Sequence, residues 1–235
     1  MSHNSNNTSK ILVLSFIFLA LTFAAFVINP QIDIQISQLF FENRFIYFAT
    51  LPFNIMDKII DLLFFLLLFF AVFYFVLNFT FLSKRVQKKF LSKPKAVFLI
   101  VTYLTIMFFV YLVFKDIWQR PRPFEIINFG GTQTFQTIYE FGKNGGTSFI
   151  SGHTSRAFFL LAFVIAFIKN KKIYTFAIIL PLIAALSRLI QGKHFLSDVA
   201  FSFFFCLVII YSFKLLILEN ATKTYKKTTS RSKKS

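Results

Sequence analysis

The sequence predicts an all-α membrane protein whose six transmembrane helices form one bundle. Composition is the first indication: 56% of the 235 residues are hydrophobic and 38 are phenylalanine, which is more apolar than a soluble domain. The second is that the apolar residues form long runs, each near the length of about 20 residues that a helix needs to cross a bilayer. The third is charge, because the basic residues behind the net charge of +17 lie in the connections and the tail. Membrane topology explains this distribution more simply than nucleic acid binding, so no nucleic acid partner is expected.

The predicted spans lie near residues 11–29, 59–82, 96–115, 154–169, 173–191 and 199–218. The first run follows a polar stretch, and no small-residue cleavage site precedes Pro30, so we predict a retained helix and not a signal peptide. The fourth and fifth runs are short and are separated by a basic turn at 169–172, which fits a helical hairpin.

One domain is predicted at 11–218, between a polar cytoplasmic N-terminus at 1–10 and a basic cytoplasmic tail at 219–235. The tail is too polar to bury, so we expect it to be mobile and within reach of anionic lipid headgroups, although a topology signal is the simpler explanation of its lysines. The single cysteine, Cys206, lies in an apolar run and is predicted to be a packing residue.

Lys and Arg cluster in the 83–95 connection, in the 169–172 turn and in the tail, and basic connections remain in the cytoplasm. Both termini are therefore predicted to be cytoplasmic. The 30–58, 116–153 and 192–198 connections then face outward, to the periplasm in a Gram-negative bacterium, and eight of the nine acidic residues fall on or near that side. The longest outer connection, 116–150, contains two Gly-Gly pairs and is predicted to be an irregular lid or a substrate-contacting rim.

The first polar motif, KDIWQRPRP at 115–123, begins where the third predicted helix leaves the membrane. Its prolines end the helix. Arg122 offers a planar fork for two phosphate oxygens, and Lys115 adds a compact positive charge. Snorkelling of basic side chains to the interface is the alternative, but the spaced Arg-Pro pair favours an anion site.

The second motif, Ser151-Gly152-His153, lies at the predicted start of the fourth helix. Free backbone N–H groups at a helix start bind anions, and Gly152 allows a close approach of the backbone. Taken alone, the tripeptide is more simply a serine N-cap followed by a histidine.

The third motif, at 187–198, contains Ser187, Arg188, His194 and Asp198. If 193–198 is helical, His194 and Asp198 share a face one turn apart. The carboxylate would then hydrogen-bond one imidazole nitrogen and leave the other as a nucleophile. A structural ion pair is the alternative, but polar groups beside lipid are costly and are usually functional.

These motifs resemble those of the type 2 phosphatidic acid phosphatase (PAP2) superfamily of membrane phosphatases. Lys115 and Arg122 fit K-x6-R-P, residues 151–153 fit the core of P-S-G-H, and residues 187–198 fit S-R-x5-H-x3-D. Ile150 replaces the usual proline, so we expect an adjusted backbone with activity retained. The resemblance extends over about 96–218 and implies a PAP2-type helical bundle.

The resemblance also implies roles for individual residues. His194 would attack phosphorus, Asp198 would orient it, and His153 would protonate the leaving oxygen and then activate water. The groups implied to hold the phosphate oxygens are Lys115, Arg122, Arg188 and the backbone N–H groups of Ser151 and Gly152. No metal or other cofactor is expected, because the sequence has no cluster of acidic residues and histidine at metal-ligand spacing.

Three basic residues, Arg120, Arg156 and Lys193, border the motifs without matching a signature position. They are candidates for contacts with the substrate headgroup, and simple interfacial charge explains them equally well.

The implied activity is that of a lipid phosphatase in a bacterial inner membrane, with its active site facing the periplasm. The motifs, together with F-G-G-T-x-x-F at 129–135, are most similar to those of bacterial lipid A phosphatases, which remove a phosphate from the glucosamine disaccharide. Phosphatidylglycerophosphate and undecaprenyl pyrophosphate phosphatases share the catalytic residues and remain alternatives, and the choice between the 1- and 4′-phosphates stays open. A transporter or scaffold that only binds phosphate would not need a nucleophile with an orienting carboxylate, and haloperoxidases with related motifs are soluble.

Overall fold

The computed structural model describes residues 2–45, 51–79, 92–142 and 144–224 and is predominantly helical. The helices are α1 (Ser2–Ile28), α2 (Gln31–Gln38), α3 (Leu51–Phe79), α4 (Lys93–Met107), α5 (Lys115–Trp118), α6 (Gly152–Phe167), α7 (Lys171–Ile190) and α8 (Leu196–Phe213). A π-helical segment, Phe108–Phe114, joins α4 to α5, and a second one, Lys214–Glu219, continues α8. The antiparallel strands β1 (Phe41–Glu42) and β2 (Arg44–Phe45) follow α2, and short 3-10 turns occupy Pro123–Glu125 and Ile127–Phe129.

Local sequence determines where these helices begin and end. The Asn170 side chain accepts a hydrogen bond from the Lys172 backbone N–H at 2.9 Å, which satisfies a free donor at the start of α7. Pro94 lies in the first turn of α4, where its missing N–H costs nothing. At the other end, Gln119 adopts a left-handed conformation with φ of 48° and ends α5, and the prolines that follow prevent the helix from resuming.

Five helices in the described part of the chain are long and apolar enough to cross a membrane: Asn6–Ile28, Asn54–Asn78, Lys93–Glu125, Lys171–Ile190 and Leu196–Thr224. The remaining predicted span, 154–169, corresponds to α6, which has only 16 residues. Such a helix is about 24 Å long, shorter than the hydrocarbon core of about 30 Å. The predicted count of six spans is therefore not confirmed.

Helix α6 lies at the centre of the bundle and packs against α3, α4, α7 and α8. Its side chains at Phe158, Leu161, Ala162 and Val164 have no exposed surface. The longer helices expose large apolar side chains instead, and Phe69 of α3 is 70% exposed. Exposure of this kind is unfavourable in water and favourable in lipid, so the bundle has the surface of a membrane protein.

One predicted boundary is wrong. Helix α3 begins at Leu51 and not near 59, and the charged residue Asp57 lies in the part of the helix that precedes the apolar run. The described part of the predicted 30–58 connection contains α2 and the β1–β2 ladder. Most of the predicted basic connection at 83–95 lies outside the described residues, because 80–91 are not described. The end of the predicted tail, 225–235, also lies outside them.

The long connection between α5 and α6 is irregular, as predicted, and packs on the helix ends. The Trp118 indole N–H donates to the Ile138 carbonyl at 2.7 Å, and Ile138 is buried. Farther along, the backbone N–H of Ser148 donates to the Arg120 carbonyl at 2.9 Å. Gly146 makes this return possible, since a Cβ there would lie 2.2 Å from the Arg120 carbonyl oxygen.

Candidate active site

A cavity of about 220 Å³ lies between the start of α5, the C-terminal end of α7 and the N-terminal end of α6. It is lined by Tyr111, Lys115, Arg122, Gly152, His153, Arg156, Arg188, Lys193 and His194. All three polar motifs of the sequence therefore contribute to one cavity. Most of its lining side chains are cationic, so the cavity attracts an anion.

His194 and Asp198 come together by a route that differs from the predicted one. Residues 193–195 are not helical, because α8 begins only at Leu196. The Asp198 carboxylate caps this helix start by accepting the Phe195 backbone N–H at 2.9 Å, and the cap holds it beside the preceding residue. The His194 Nδ1 atom lies 3.6 Å from Asp198 Oδ2.

A serine outside the predicted site residues contacts both members of this pair. The Ser148 hydroxyl donates a short hydrogen bond to Asp198 Oδ2 and lies 3.5 Å from His194 Nδ1. Ser148 is fully buried. The hydroxyl is thus a closer partner of the carboxylate than the imidazole is, and it helps to fix the carboxylate's orientation.

Arg120, a candidate for a headgroup contact or for simple interfacial charge, is buried. Its guanidinium has no exposed surface, so it cannot reach a ligand in the cavity. Its Nη1 atom donates to Asp198 Oδ1 at 2.6 Å, and its Nη2 atom donates to Asp33 Oδ2 at 2.8 Å. The Phe195 ring covers the group, with 4.4 Å between the guanidinium carbon and the ring centroid. Arg120 therefore balances the negative charge of Asp198 inside the protein.

Asp33 connects this buried group to α2. It accepts hydrogen bonds from the Ser197 backbone N–H at 2.9 Å and the Ser197 hydroxyl at 2.6 Å. The same hydroxyl also accepts from Arg120 at 2.7 Å. Buried charges need such pairing, and here it fixes the first turn of α8, which carries Asp198.

The environment of His194 keeps its imidazole neutral. Burial lowers the pKa of His194 to about 4; Arg122 and Lys115 also lower it, whereas Asp198 raises it. A neutral imidazole has a lone pair available at neutral pH, so this ring is suited to nucleophilic attack without losing a proton first.

The predicted phosphate ligands surround the cavity. The Arg122 guanidinium donates to the Thr147 hydroxyl at 3.2 Å, and the Lys115 ammonium lies 4.7 Å from the centroid of the Tyr111 ring. Arg188 donates to the Gln191 side-chain oxygen at 3.0 Å. These contacts restrain three positive groups around one space.

Ser151 differs from its predicted role. Its backbone N–H donates to the Asp198 carbonyl at 3.4 Å, so this N–H already has a partner within the protein. Its side chain caps α6 by accepting the Thr154 N–H at 3.4 Å. Gly152 does line the cavity, where an added Cβ would lie 3.0 Å from the Tyr111 hydroxyl. The peptide bond between Phe149 and Ile150 is cis.

Two carboxylates of α3 contact side chains that line the cavity, and neither was predicted. Asp57 Oδ1 lies 2.6 Å from Arg188 Nη2, and Asp57 Oδ2 lies 3.7 Å from Lys193 Nζ. One turn later, Asp61 Oδ1 lies 2.8 Å from Arg156 Nη1 and 3.4 Å from His153 Nε2. The excess of acidic residues on the predicted outer side was the available signal, but sequence spacing could not pair them with these cations.

The helical bundle has a lipid-compatible surface, and its cationic cavity holds a histidine beside a carboxylate. Together these features define a membrane-bound enzyme for an anionic substrate. Residues 95–221 match the PAP2 superfamily. The chain is also 30% identical over 206 residues to the lipid A 4′-phosphatase of Francisella tularensis subsp. novicida strain U112. The aligned region covers 79% of this chain and 84% of that protein. No solved structure matches the chain.

The chain belongs to the PAP2 superfamily, which confirms the resemblance found in its motifs. It is a phosphatase, and within the hydrolases it acts on phosphoric monoesters.

Proposed function

We propose that this phosphatase removes a phosphate from a membrane lipid without a metal ion, through a phosphohistidine intermediate on His194. One observation carries the mechanism: the neutral His194 ring lines a cationic cavity, and its Nδ1 atom lies 3.6 Å from the buried Asp198 carboxylate. The second nitrogen, Nε2, is then left to act as the nucleophile.

In the first step, Nε2 of His194 attacks phosphorus and a P–N bond forms. The P–O bond to the lipid breaks as His153 transfers its proton to the leaving oxygen. Asp198 stabilises the positive charge that develops on the phosphorylated imidazole. In the second step, His153 takes a proton from water, whose oxygen attacks phosphorus, and the P–N bond breaks to release phosphate.

The cationic groups stabilise the charge on the three non-bridging oxygens in both steps. Lys115, Arg122 and Arg188 reach the cavity from separate elements, and their positions are restrained before the substrate binds. Preorganised charges of this kind lower the barrier because they need no reorganisation during the reaction.

We propose that the substrate is lipid A and that the 4′-phosphate is removed. The relative named for this activity supports the choice. The cavity of about 220 Å³ is smaller than the roughly 300–1,000 Å³ of a typical small-molecule site. It fits a phosphate group with the sugar left at the rim, while the acyl chains remain in the bilayer. We further propose a bacterial inner-membrane location, with cytoplasmic termini and the cavity facing the periplasm.

The test is phosphate release from bisphosphorylated lipid A by the purified protein in the presence of a metal chelator. Mass spectrometry with fragmentation assigns the phosphate that is lost, and we expect the 4′-phosphate. His194→Ala should abolish the reaction, whereas Arg44→Gln, at an exposed position on β2, should not.

Unchanged turnover by His194→Ala would overturn the mechanism. Faster release from phosphatidylglycerophosphate or undecaprenyl pyrophosphate, assayed in parallel, would overturn the substrate and leave the mechanism intact.

A further inference from the structure

Among the described residues, Asp61 is the carboxylate that pairs with His153, the second histidine of the cavity. Its Oδ1 atom lies 3.4 Å from His153 Nε2. Asp61 belongs to α3, outside residues 95–221 that match the superfamily, so the family match assigns it no role. An acidic residue within a membrane helix is costly and is usually functional.

Arg156 contacts both His153 and Asp61. Its Nη2 atom lies 2.9 Å from His153 Nδ1 and 3.3 Å from Nε2, and its Nη1 atom lies 2.8 Å from Asp61 Oδ1. Asp61 therefore faces the imidazole ring and the cation beside it.

The charges around His153 explain why it needs a carboxylate. The cavity also contains the cationic side chains Lys115, Arg122, Arg156, Arg188 and Lys193, and the neutral His194. All five cations disfavour a positive charge on the His153 ring. An acid that protonates the leaving oxygen must nevertheless hold a proton it can give away.

We infer that Asp61 is a positioning residue for His153, holding its ring and stabilising its protonated form for transfer to the leaving group. This inference rests on the proposed role of His153 as the general acid. Asp57, one turn earlier on α3, lies beside Arg188 and Lys193 instead. The two carboxylates thus act on different parts of the reaction: Asp61 on proton transfer, and Asp57 on the cations that bind phosphate.

Leaving-group dependence tests this assignment. A lipid phosphate releases a poor alkoxide leaving group and needs a general acid, whereas p-nitrophenyl phosphate releases a stable phenolate and needs little help. For Asp61→Asn, we expect the ratio of kcat on lipid phosphate to kcat on p-nitrophenyl phosphate to fall by about a hundredfold, the low end of the range for general acid catalysis. Both substrates are assayed on one preparation, so this ratio does not depend on the fraction of folded protein.

Asp57→Asn is the matched control, because it makes the same chemical change one helical turn away. It should lower the rates with both substrates alike and leave the ratio of the two kcat values within about threefold of wild type, since phosphate binding is common to both reactions. His153→Ala should lower the ratio as Asp61→Asn does.

An unchanged ratio in Asp61→Asn, with a lowered ratio in His153→Ala, would overturn the inference about Asp61 alone. An unchanged ratio in both variants would overturn the proposed general acid as well.

Discussion

Arg120 is a charged side chain with no exposed surface, and it joins two carboxylates from distant parts of the chain. Its sequence position beside a phosphate-binding motif made it a candidate for a headgroup contact, with simple interfacial charge as an equal alternative. Asp33, which pairs with it at 2.8 Å, is 87 residues away, and no local pattern connects the two. The buried position explains why the charge is kept: removing one member of such a group leaves the others unpaired in a medium of low polarity.

We predict that Arg120→Lys lowers both stability and activity. A lysine has a single donor group at its end, and it cannot span Asp33 and Asp198 as the guanidinium does. The loss should be on the order of 3–5 kcal/mol, equivalent to a fall of about 10 °C in Tm for a protein of this size, with a reduced kcat because Asp198 loses its restraint. Thermal unfolding in detergent and phosphate release measure the two effects.

Arg44→Lys provides the comparison, because Arg44 is exposed on β2 and undergoes the same chemical change. Equal Tm values for the two variants would contradict the structural role of Arg120.

At the scale of elements, the site depends on strand β2, which lies within the predicted 30–58 connection. The β2 strand places Phe45 against Gly192, two residues before His194 in the chain. The Phe45 ring also packs edge-on against Phe41 and Phe129, with centroids 5.2 Å from each. The ring is only 1% exposed, so it has little freedom to move. The loop that carries the proposed nucleophile is thus held by residues about 150 positions earlier in the chain.

Gly192→Ala should be more damaging than Gly145→Ala. Both glycines have positive φ, 62° and 66° respectively, so an added side chain strains the backbone similarly at each, by about 1 kcal/mol. At Gly192 the new Cβ would also lie 2.4 Å from the Phe45 ring, whereas a Cβ at Gly145 would face open space. We expect Gly192→Ala to lower Tm further and to reduce kcat, as measured by thermal unfolding and phosphate release. Similar losses in the two variants would show that the contact with Phe45 is unimportant.

At the scale of the whole molecule, the apolar surface of the long helices surrounds a small and highly polar cavity. Helix α6 is too short to be a typical span, yet it contributes Gly152 and His153 to the cavity from the centre of the bundle. Its neighbours cover its sides, so it does not need to match the bilayer thickness by itself. The arrangement brings a charged site to one end of the helices, where a lipid headgroup can reach it.

The proposed orientation predicts different labelling at the two ends of the bundle. Cys206 is fully buried and should not react with a membrane-impermeant maleimide, so the natural chain is a suitable background. In spheroplasts, Thr134→Cys in the outer connection should label directly, whereas Thr224→Cys should label only after the membrane is permeabilised. Both positions are exposed, and the reverse pattern would invert the proposed topology.

The sequence by itself determined that the chain has long apolar helices and which motif residues surround His194, because hydropathy runs and motif spacing are local properties. Lys115, Arg122, His153, Arg188 and His194 were predicted as site residues, and all of them line one cavity. Only the tertiary structure decided which groups lie beside the predicted site residues: Ser148 beside Asp198, Asp33 beside Arg120, Asp57 beside Arg188, and Asp61 beside His153. These partners come from other helices and loops. The packing of the helices determines which charges meet in a membrane protein, since each buried charge must find an opposite one within the bundle.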